Sequence, residues 1–592
     1  MTNRLLKDFI NLLKLVPQVL KLLFKTNKKL FVLVFILNII LGFIPIISLL
    51  ITQNLINAIQ YQKLKFIIYI FILYTFYNIL SSIFISFKEY IENKFQFLLG
   101  YELNLMIINK CNKLTLNHFE NSDIYDKLQR VQNEISYKPY QVFTLIINII
   151  SSLITALLSI LIILFWKPWL IILLIPLPIF FSLNFIKIEK EAFDMNFNRT
   201  SEKRKSWYYS FLLSRDTYIK EIIFYDVGDF FIDKFKKLNL SFIKQDNLIN
   251  KKRSITTSFL ELINIIINSF ILYLIIISAT LGNIFLGNVV SYMKALNLFQ
   301  SEFKNIITSL YNLYQNNLYL THLFEFLNIN TICEKNKKII KNIEELKVEN
   351  LSFKYNEKKI LHNINFSIKK GERVAIVGTN GSGKSTLIKL ILKMYAINDG
   401  DIKFNNYSIN ELNTVMLRKN MSILFQDFSK YELTVKENIA LGDLNIINNT
   451  DKINKCIKNA NINFINSLDD QLGLWFNDGI QLSGGQWQKI AIARTFARDC
   501  SLCILDEPSA ALDPISEKEI IKMFLSLTKD KIGIFVSHRL KTAKLADKII
   551  VLDSGKIVGM GSHENLIINN SIYQSMYYAE NNNIEELECI HG

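Results

Sequence analysis

Nine consecutive residues, Gly378-Thr379-Asn380-Gly381-Ser382-Gly383-Lys384-Ser385-Thr386, carry the strongest chemical signal in the chain. Its glycines let the backbone curl around an anion without Cβ clashes, and successive N–H groups then point at phosphate oxygens. The apolar run Val374–Val377 before it reads as a buried strand, and Leu387–Leu392 after it as a helix. Strand, glycine loop and helix start together make a P-loop, and the positive end of the helix adds to the loop amides. In such a loop Lys384 sits on the β- and γ-phosphates and Ser385 holds Mg²⁺.

A second group follows downstream. Leu502-Cys503-Ile504-Leu505-Asp506-Glu507 is an apolar strand ending in two carboxylates. Asp506 is placed to coordinate Mg²⁺ and Glu507 to polarise a water for in-line attack on a γ-phosphate. Strand ends of this kind are common, and the P-loop upstream is what gives this one its meaning. Leu482-Ser483-Gly484-Gly485-Gln486 opens a helical run and makes a second anion-binding helix start. One nucleotide does not need two such starts unless the second serves another copy. Gln426 and His538 each follow an apolar run, at the strand end or just past it, and Tyr355 is an aromatic suited either to stacking on adenine or to core packing.

These groups need a scaffold, and the chain has two halves of different composition. It is 592 residues long, half hydrophobic, with net charge +16. A chain of this length exceeds one core. The apolar content is concentrated in the first half, in segments near 30–52, 64–87, 141–166, 168–187, 257–281 and 284–309. The first five have the length a bilayer requires, and the sixth is interrupted by Lys294. Residues 1–28 read as a basic amphipathic helix on the membrane face. Hydrophilic stretches at 88–139 and 188–256 share a side with it, and the positive-inside rule makes that side cytoplasmic. Trp166 and Trp169 suit an aromatic belt on the other side. The basic excess is thus a membrane-protein signature, and the spans exclude a soluble nucleic-acid enzyme. Cys500 and Cys503 lack further metal-ligand partners, and the six cysteines read as reduced thiols.

Each hydrophilic stretch contains a turn, at Phe119–Tyr125 and Phe224–Asp229, suited to docking on another domain or to a plain loop tip. Polar residues recur at helical spacing in two spans: Asn148, Ser151, Ser152, Thr155 and Ser159 in the third, and Asn288, Ser291, Lys294, Asn297, Ser301 and Asn305 in the sixth. They either line a substrate path or bond packed helices, with Lys294 snorkelling in the second case. Residues 331–345 read as a linker, 346–580 as a soluble α/β domain and 581–592 as an acidic tail.

Together these features resemble an ATP-binding-cassette (ABC) exporter half-transporter, over the whole chain. The resemblance implies an all-α six-helix transmembrane exporter domain (29–330) followed by an α/β P-loop NTPase cassette. Gly378–Thr386 matches the family's Walker A motif, Gln426 its Q-loop, Leu482–Gln486 its signature, Leu502–Asp506 its Walker B motif and Glu507 its catalytic carboxylate. Ser509–Asp513 matches the D-loop, His538 the switch histidine and Tyr355 the adenine-stacking aromatic. Gln426 thereby joins both the catalytic groups (with Glu507 and His538) and the Mg²⁺ groups (with Ser385 and Asp506). The resemblance also implies a head-to-tail dimer with an identical chain or a related half-transporter, in which Ser483, Gly484, Gly485 and Gln486 of one copy close over ATP on the other. The segments Leu472–Phe476, Gln481–Lys489 and Phe425–Phe428 look like exporters of lantibiotics and related bacteriocin peptides. The implied function is ATP-driven peptide export across a bacterial cytoplasmic membrane. No room for an N-terminal peptidase precedes the first span, so export is expected without leader cleavage. A lipid flippase or multidrug exporter is the rival inside the class, and an ATP-gated channel or regulator the rival outside it.

Overall fold

The computed structural model describes residues 16–588 except 63, 122–123, 125–126, 129–130, 132–136, 176–186, 193, 197, 331–336, 356, 509–513 and 538. Its contacts divide the chain into two compact units: Met1–Lys113 with Asn121–Asn330, and Leu114–Glu120 with Thr331–Gly592.

The first unit is helical. Its long helices are α1 (Lys28–Gln60), α2 (Leu64–Cys111), α4 (Lys138–Trp166), α7 (Gly228–Thr280) and α8 (Leu286–Leu327); α5 (Thr200–Leu213) and α6 (Asp216–Phe224) are shorter. The label α3 is kept for Leu116–Glu120, which belongs to the second unit. Asn27 starts α1 by accepting the Leu30 N–H at 3.0 Å, which satisfies one of the orphan donors of a helix start. Among the described residues, α1, α2, α4 and α7 are long and apolar enough to cross a membrane. The sixth expected span falls on α8, where Lys294, Glu302 and Lys304 dilute the apolar run. Most of the fourth, 168–187, lies outside the described residues. At 48 and 53 residues, α2 and α7 reach about 70–80 Å, more than twice a bilayer's hydrocarbon thickness. Both therefore run from an apolar stretch into a hydrophilic one without a break.

Small residues bring α1 and α4 together. Thr155 donates its hydroxyl to the Gly42 carbonyl at 2.7 Å. A Cβ on Gly42 would meet the Ser151 carbonyl at 3.0 Å, so the close approach uses glycine there. Gln53 and Asn57 on α1 both donate to Asn288 Oδ1 on α8, at 2.7 and 3.0 Å. Trp166 stacks on Tyr292 of α8 with ring centroids 5.0 Å apart.

The second unit contains two sheets. The antiparallel one has the order β2-β1-β4-β5, from β1 (Glu345–Tyr355), β2 (Lys358–Lys369), β4 (Asp399–Phe404) and β5 (Tyr407–Ser408). The other has the order β10-β9-β3-β8-β7-β6, from β3 (Arg373–Gly378), β6 (Met421–Leu424), β7 (Leu502–Asp506), β8 (Ile532–Val536), β9 (Lys548–Asp553) and β10 (Lys556–Gly561). Strands β6, β7, β8, β3 and β9 run parallel. Every residue of β7 and β8 is buried, which is why both read as continuous apolar runs rather than alternating ones. Helix α9 (Lys384–Ile391) follows the glycine loop and α10 (Gly484–Ala497) precedes β7.

Candidate active site

Parallel strands end on one edge, and ligands of such sheets bind beyond the carboxyl ends. Here β3 ends at the glycine loop, β6 just before Gln426, β7 at Asp506 and β8 at Val536. Asp506 is in register with Val536, and Glu507 donates its N–H to the Val536 carbonyl at 3.2 Å. Glu507 has a φ of 49°, a left-handed turn that breaks the strand immediately after Asp506. Its Oε2 accepts from Gln426 Nε2 at 2.5 Å. The fold thus brings Gln426, Asp506 and Glu507 together from two adjacent strands.

The loop Gly378–Thr386 is held from both sides. Lys384 Nζ donates to the carbonyls of Gly378 and Thr379 at 3.0 and 3.1 Å. Thr379 donates to Asp553 at 3.2 Å, and Gly555 N–H to the Ser382 carbonyl at 3.2 Å. At Gly378 a Cβ would stand 2.0 Å from the Leu552 carbonyl, so only glycine fits against β9. Burial lowers the Lys384 ammonium's pKa, against the opposing charges of Glu507 and Asp506. Burial also pushes Asp506 up to about 6, with the Ser385 hydroxyl hydrogen bond opposing and the Glu507 charge reinforcing. Asp506 Oδ1 and Ser382 Oγ are buried without a hydrogen-bond partner among the described residues. An orphaned carboxylate oxygen beside a serine hydroxyl, next to a buried ammonium and a ring of loop amides, fits a nucleotide triphosphate with a divalent cation. The remaining residues of the sequence motif, Asn380, Gly381, Gly383 and Thr386, lie in that same loop and the start of α9.

Ser483 caps the 14-residue α10 in a capping box: its Oγ accepts from Gln486 N at 3.3 Å and Gln486 Oε1 accepts from Ser483 N at 2.8 Å. Ser483 and Gly484 are exposed. Among the described residues no hydrogen bond joins 483–486 to 378–386. Tyr355 packs edge-on against Phe353 and Tyr395, with centroids 4.9 and 5.3 Å away, and is only partly buried. His538 and Ser509–Asp513 lie outside the described residues.

Three supporting contacts join residues that no motif pairs in the sequence, and the third falls on the Phe119–Tyr125 turn expected to dock on another domain. Gln488 Nε2 donates to the Pro508 carbonyl at 2.5 Å, which ties α10 to the residue after Glu507. Glu517 is buried and pairs with Arg539 at 2.6 Å, fixing the backbone next to position 538. Tyr395 donates to Glu120 Oε1 at 2.6 Å, and Leu116 packs on the core beneath β1, so α3 is docked within the second unit. Gln488 follows the Ser-Gly-Gly-Gln run by two positions, and Glu120 lies in the turn marked for docking, whereas nothing in the sequence points to the Glu517–Arg539 pair.

The two polar stripes separate. On α4, Ser151, Ser152, Thr155 and Ser159 are buried against neighbouring helices, with Thr155 bonded to α1. That is the helix-packing alternative, and of this set only Asn148 is exposed. On α8, Ser291 is buried, whereas Lys294, Asn297, Ser301 and Asn305 are exposed, and Asn297 and Ser301 line a cavity of about 380 Å³. At the other turn, Ile223, Phe224 and Tyr225 are exposed at 71%, 81% and 66%.

The family model described as ABC transporter matches residues 361–510. The chain is 42% identical over 594 residues to the subtilin transport ATP-binding protein SpaT of Bacillus subtilis, covering 98% of this chain and 97% of that protein. It is 38% identical over 585 residues to the nisin transport ATP-binding protein NisT of Lactococcus lactis subsp. lactis, covering 97% of each. In fold it matches the structure of a bacterial Atm1-family ABC exporter with ATP bound, at a TM-score of 0.79 and 20% identity over 93% of this chain and 98% of that one.

Proposed function

This chain belongs to the ABC transporters, membrane-embedded with a cytoplasmic cassette that hydrolyses ATP for transport; from that premise, we propose that it exports a peptide of the lantibiotic class as a pair of identical chains. The observation that carries the catalytic part is the grouping of Lys384, Gln426, Asp506 and Glu507 at one sheet edge, with an orphaned oxygen on Asp506. The peptide cargo rests on two relatives that transport subtilin and nisin and that align over nearly the whole chain.

In this reading the loop amides and Lys384 bind the β- and γ-phosphates, and Ser385, Gln426 and Asp506 hold Mg²⁺. Bound Mg²⁺ supplies charge neutralisation on the phosphate oxygens. Glu507 orients the attacking water and takes its proton, and Gln426 fixes the Glu507 carboxylate through their hydrogen bond. His538 is proposed beside the γ-phosphate and Tyr355 against the adenine. Among the described residues no loop of the same chain bonds the Ser483–Gln486 helix start, which favours its use on nucleotide held by a second copy. The uncovered tip Ile223–Tyr225 has a matching need for an apolar surface supplied by that copy.

The test is Glu507→Gln in the full-length protein reconstituted in lipid vesicles. ATP binding and a stable closed pair are expected, with hydrolysis reduced about 10²–10⁴-fold. Near-normal hydrolysis rejects the assignment. Stimulation of the wild-type ATPase by lipids or drugs, and not by peptides, rejects the cargo alone.

A further inference from the structure

The cavity between α7 and α8 is an unusual place for charge. Its lining includes Glu261 and Asn264 from α7 and Gln300, Ser301, Phe303 and Lys304 from α8. Lys304 Nζ lies 3.3 Å from Glu261 Oε1, and both side chains are more than half exposed. Deeper in, Asn268 and Gln300 bond reciprocally through their amides at 3.0 and 2.7 Å and close that end. The volume, about 380 Å³, suits a ligand of one or two residues rather than a whole peptide.

Depth gives the cavity its direction. Glu261 follows the cytoplasmic start of the fifth apolar segment by about one helical turn, and Lys304 precedes the cytoplasmic end of the sixth by about the same amount. On either helix that is about 6–8 Å in from the cytoplasmic end of the apolar segment. A charge inside a span is costly and is a functional hypothesis by default. Here the two charges neutralise each other, and neither is sealed in.

We propose that this cavity is the cytoplasmic-side receiving site for a charge-balanced peptide segment, one presenting an ammonium and a carboxylate side by side. The Glu261–Lys304 pair opens, Glu261 takes the cargo ammonium and Lys304 the cargo carboxylate. The exchange keeps every charge partnered. A cargo with one charge leaves one protein charge unpaired at membrane depth, so lipophilic cations and anionic lipids are disfavoured. The amides of Asn264 and Asn297 and the Ser301 hydroxyl serve the peptide backbone, and Phe303 packs on its apolar part. This rests on the peptide-export reading above.

The experiment uses the full-length protein in lipid vesicles and four nine-residue peptides on one neutral scaffold, differing only at two adjacent positions: Lys-Glu, Lys-Gln, Gln-Glu and Gln-Gln. The readouts are the peptide concentration for half-maximal ATPase stimulation and the anisotropy of a labelled peptide. In the wild type the Lys-Glu peptide is expected to act at about tenfold lower concentration than the other three, the size of one lost partner. Glu261→Gln and Lys304→Met should each remove that preference, and the exchange Glu261→Lys with Lys304→Glu should restore it. No preference in the wild type, or a preference that survives both single substitutions, overturns the proposal. Stimulation by lipids or drugs with none by any peptide overturns both the site and the peptide cargo. Failure of the exporter reading itself looks different: basal hydrolysis is then absent, or unaffected by Glu507→Gln.

Discussion

The cassette and the helical unit both bury apolar residues, but they differ in what they leave outside and in the polar groups they take in. In the cassette, β7 and β8 put every side chain inside, and polar groups collect where the strands end. In the helical unit, large apolar residues such as Ile68, Phe71, Phe76 and Ile83 of α2 face outward, while Ser151, Ser152, Thr155 and Ser159 of α4 are inside. The solvent explains the difference. Water drives apolar surface together, whereas lipid tails are as apolar as leucine and leave packing and hydrogen bonds to join helices. The same residue type therefore has a different energetic meaning in each unit.

The largest expected effect is a direct contrast between two phenylalanines. Phe535 on β8 is fully buried and stands edge-on to Phe524, with centroids 6.1 Å apart. Phe535→Ala should destabilise the cassette by about 3–5 kcal/mol, through lost transfer energy and an unfilled cavity. Phe76 is 65% exposed on α2. Phe76→Ala should change stability in lipid by no more than about 0.5 kcal/mol. Chemical denaturation of the reconstituted protein, followed separately by cassette and membrane-region probes, reads both. Equal losses would break the contrast.

The next effect uses Asp506, a carboxylate buried at the carboxyl edge of the parallel sheet. Asp506 ionises near 6 in the folded protein, raised from 3.8 mainly by burial. A raised carboxylate pKa means that the folded state binds the proton more tightly than the unfolded one. Ionised Asp506 therefore lowers the stability of the ligand-free cassette above pH 6, and that cost fades as the pH falls from 6 towards 4. In the proposed mechanism cation-dependent nucleotide binding runs the other way, because there Asp506 holds the cation as a carboxylate. It should weaken up to about tenfold per pH unit below 6. Asp506→Asn should flatten both trends, as measured by thermal melts and nucleotide titrations across pH 5–8.

How much of this was legible beforehand follows the same division. The glycine loop, the carboxylate pair and Gln426 are local patterns, each fixed by a strand end, and parallel strands necessarily bring their ends to one edge. The all-α membrane region and the α/β cassette were legible because long apolar runs and short buried strands leave different periods in the chain. The α4 stripe was ambiguous, since a serine at helical spacing looks alike whether it faces a neighbour or a cavity. Gly42 on a different helix decides it, and no sequence window contains both. The Glu261–Lys304 pair and the Tyr395–Glu120 bond escaped for the same reason: their partners lie 43 and 275 residues apart.

The smallest effect tests the helical unit's side of the contrast most finely. Thr155 donates to Gly42 across the α1–α4 contact and also reaches the Ser151 carbonyl of its own helix at 3.2 Å. Thr155→Val keeps the shape and removes only the hydroxyl. Interhelical bonds of this kind in membranes average about 0.6 kcal/mol and reach about 1.7. The valine methyl fills the space of the hydroxyl. A loss near the lower figure is therefore expected, with ATPase activity within about twofold of wild type. A loss of export with unchanged stability would put Thr155 on the cargo's route, and the α4 stripe would then have to be read as a pathway that also packs.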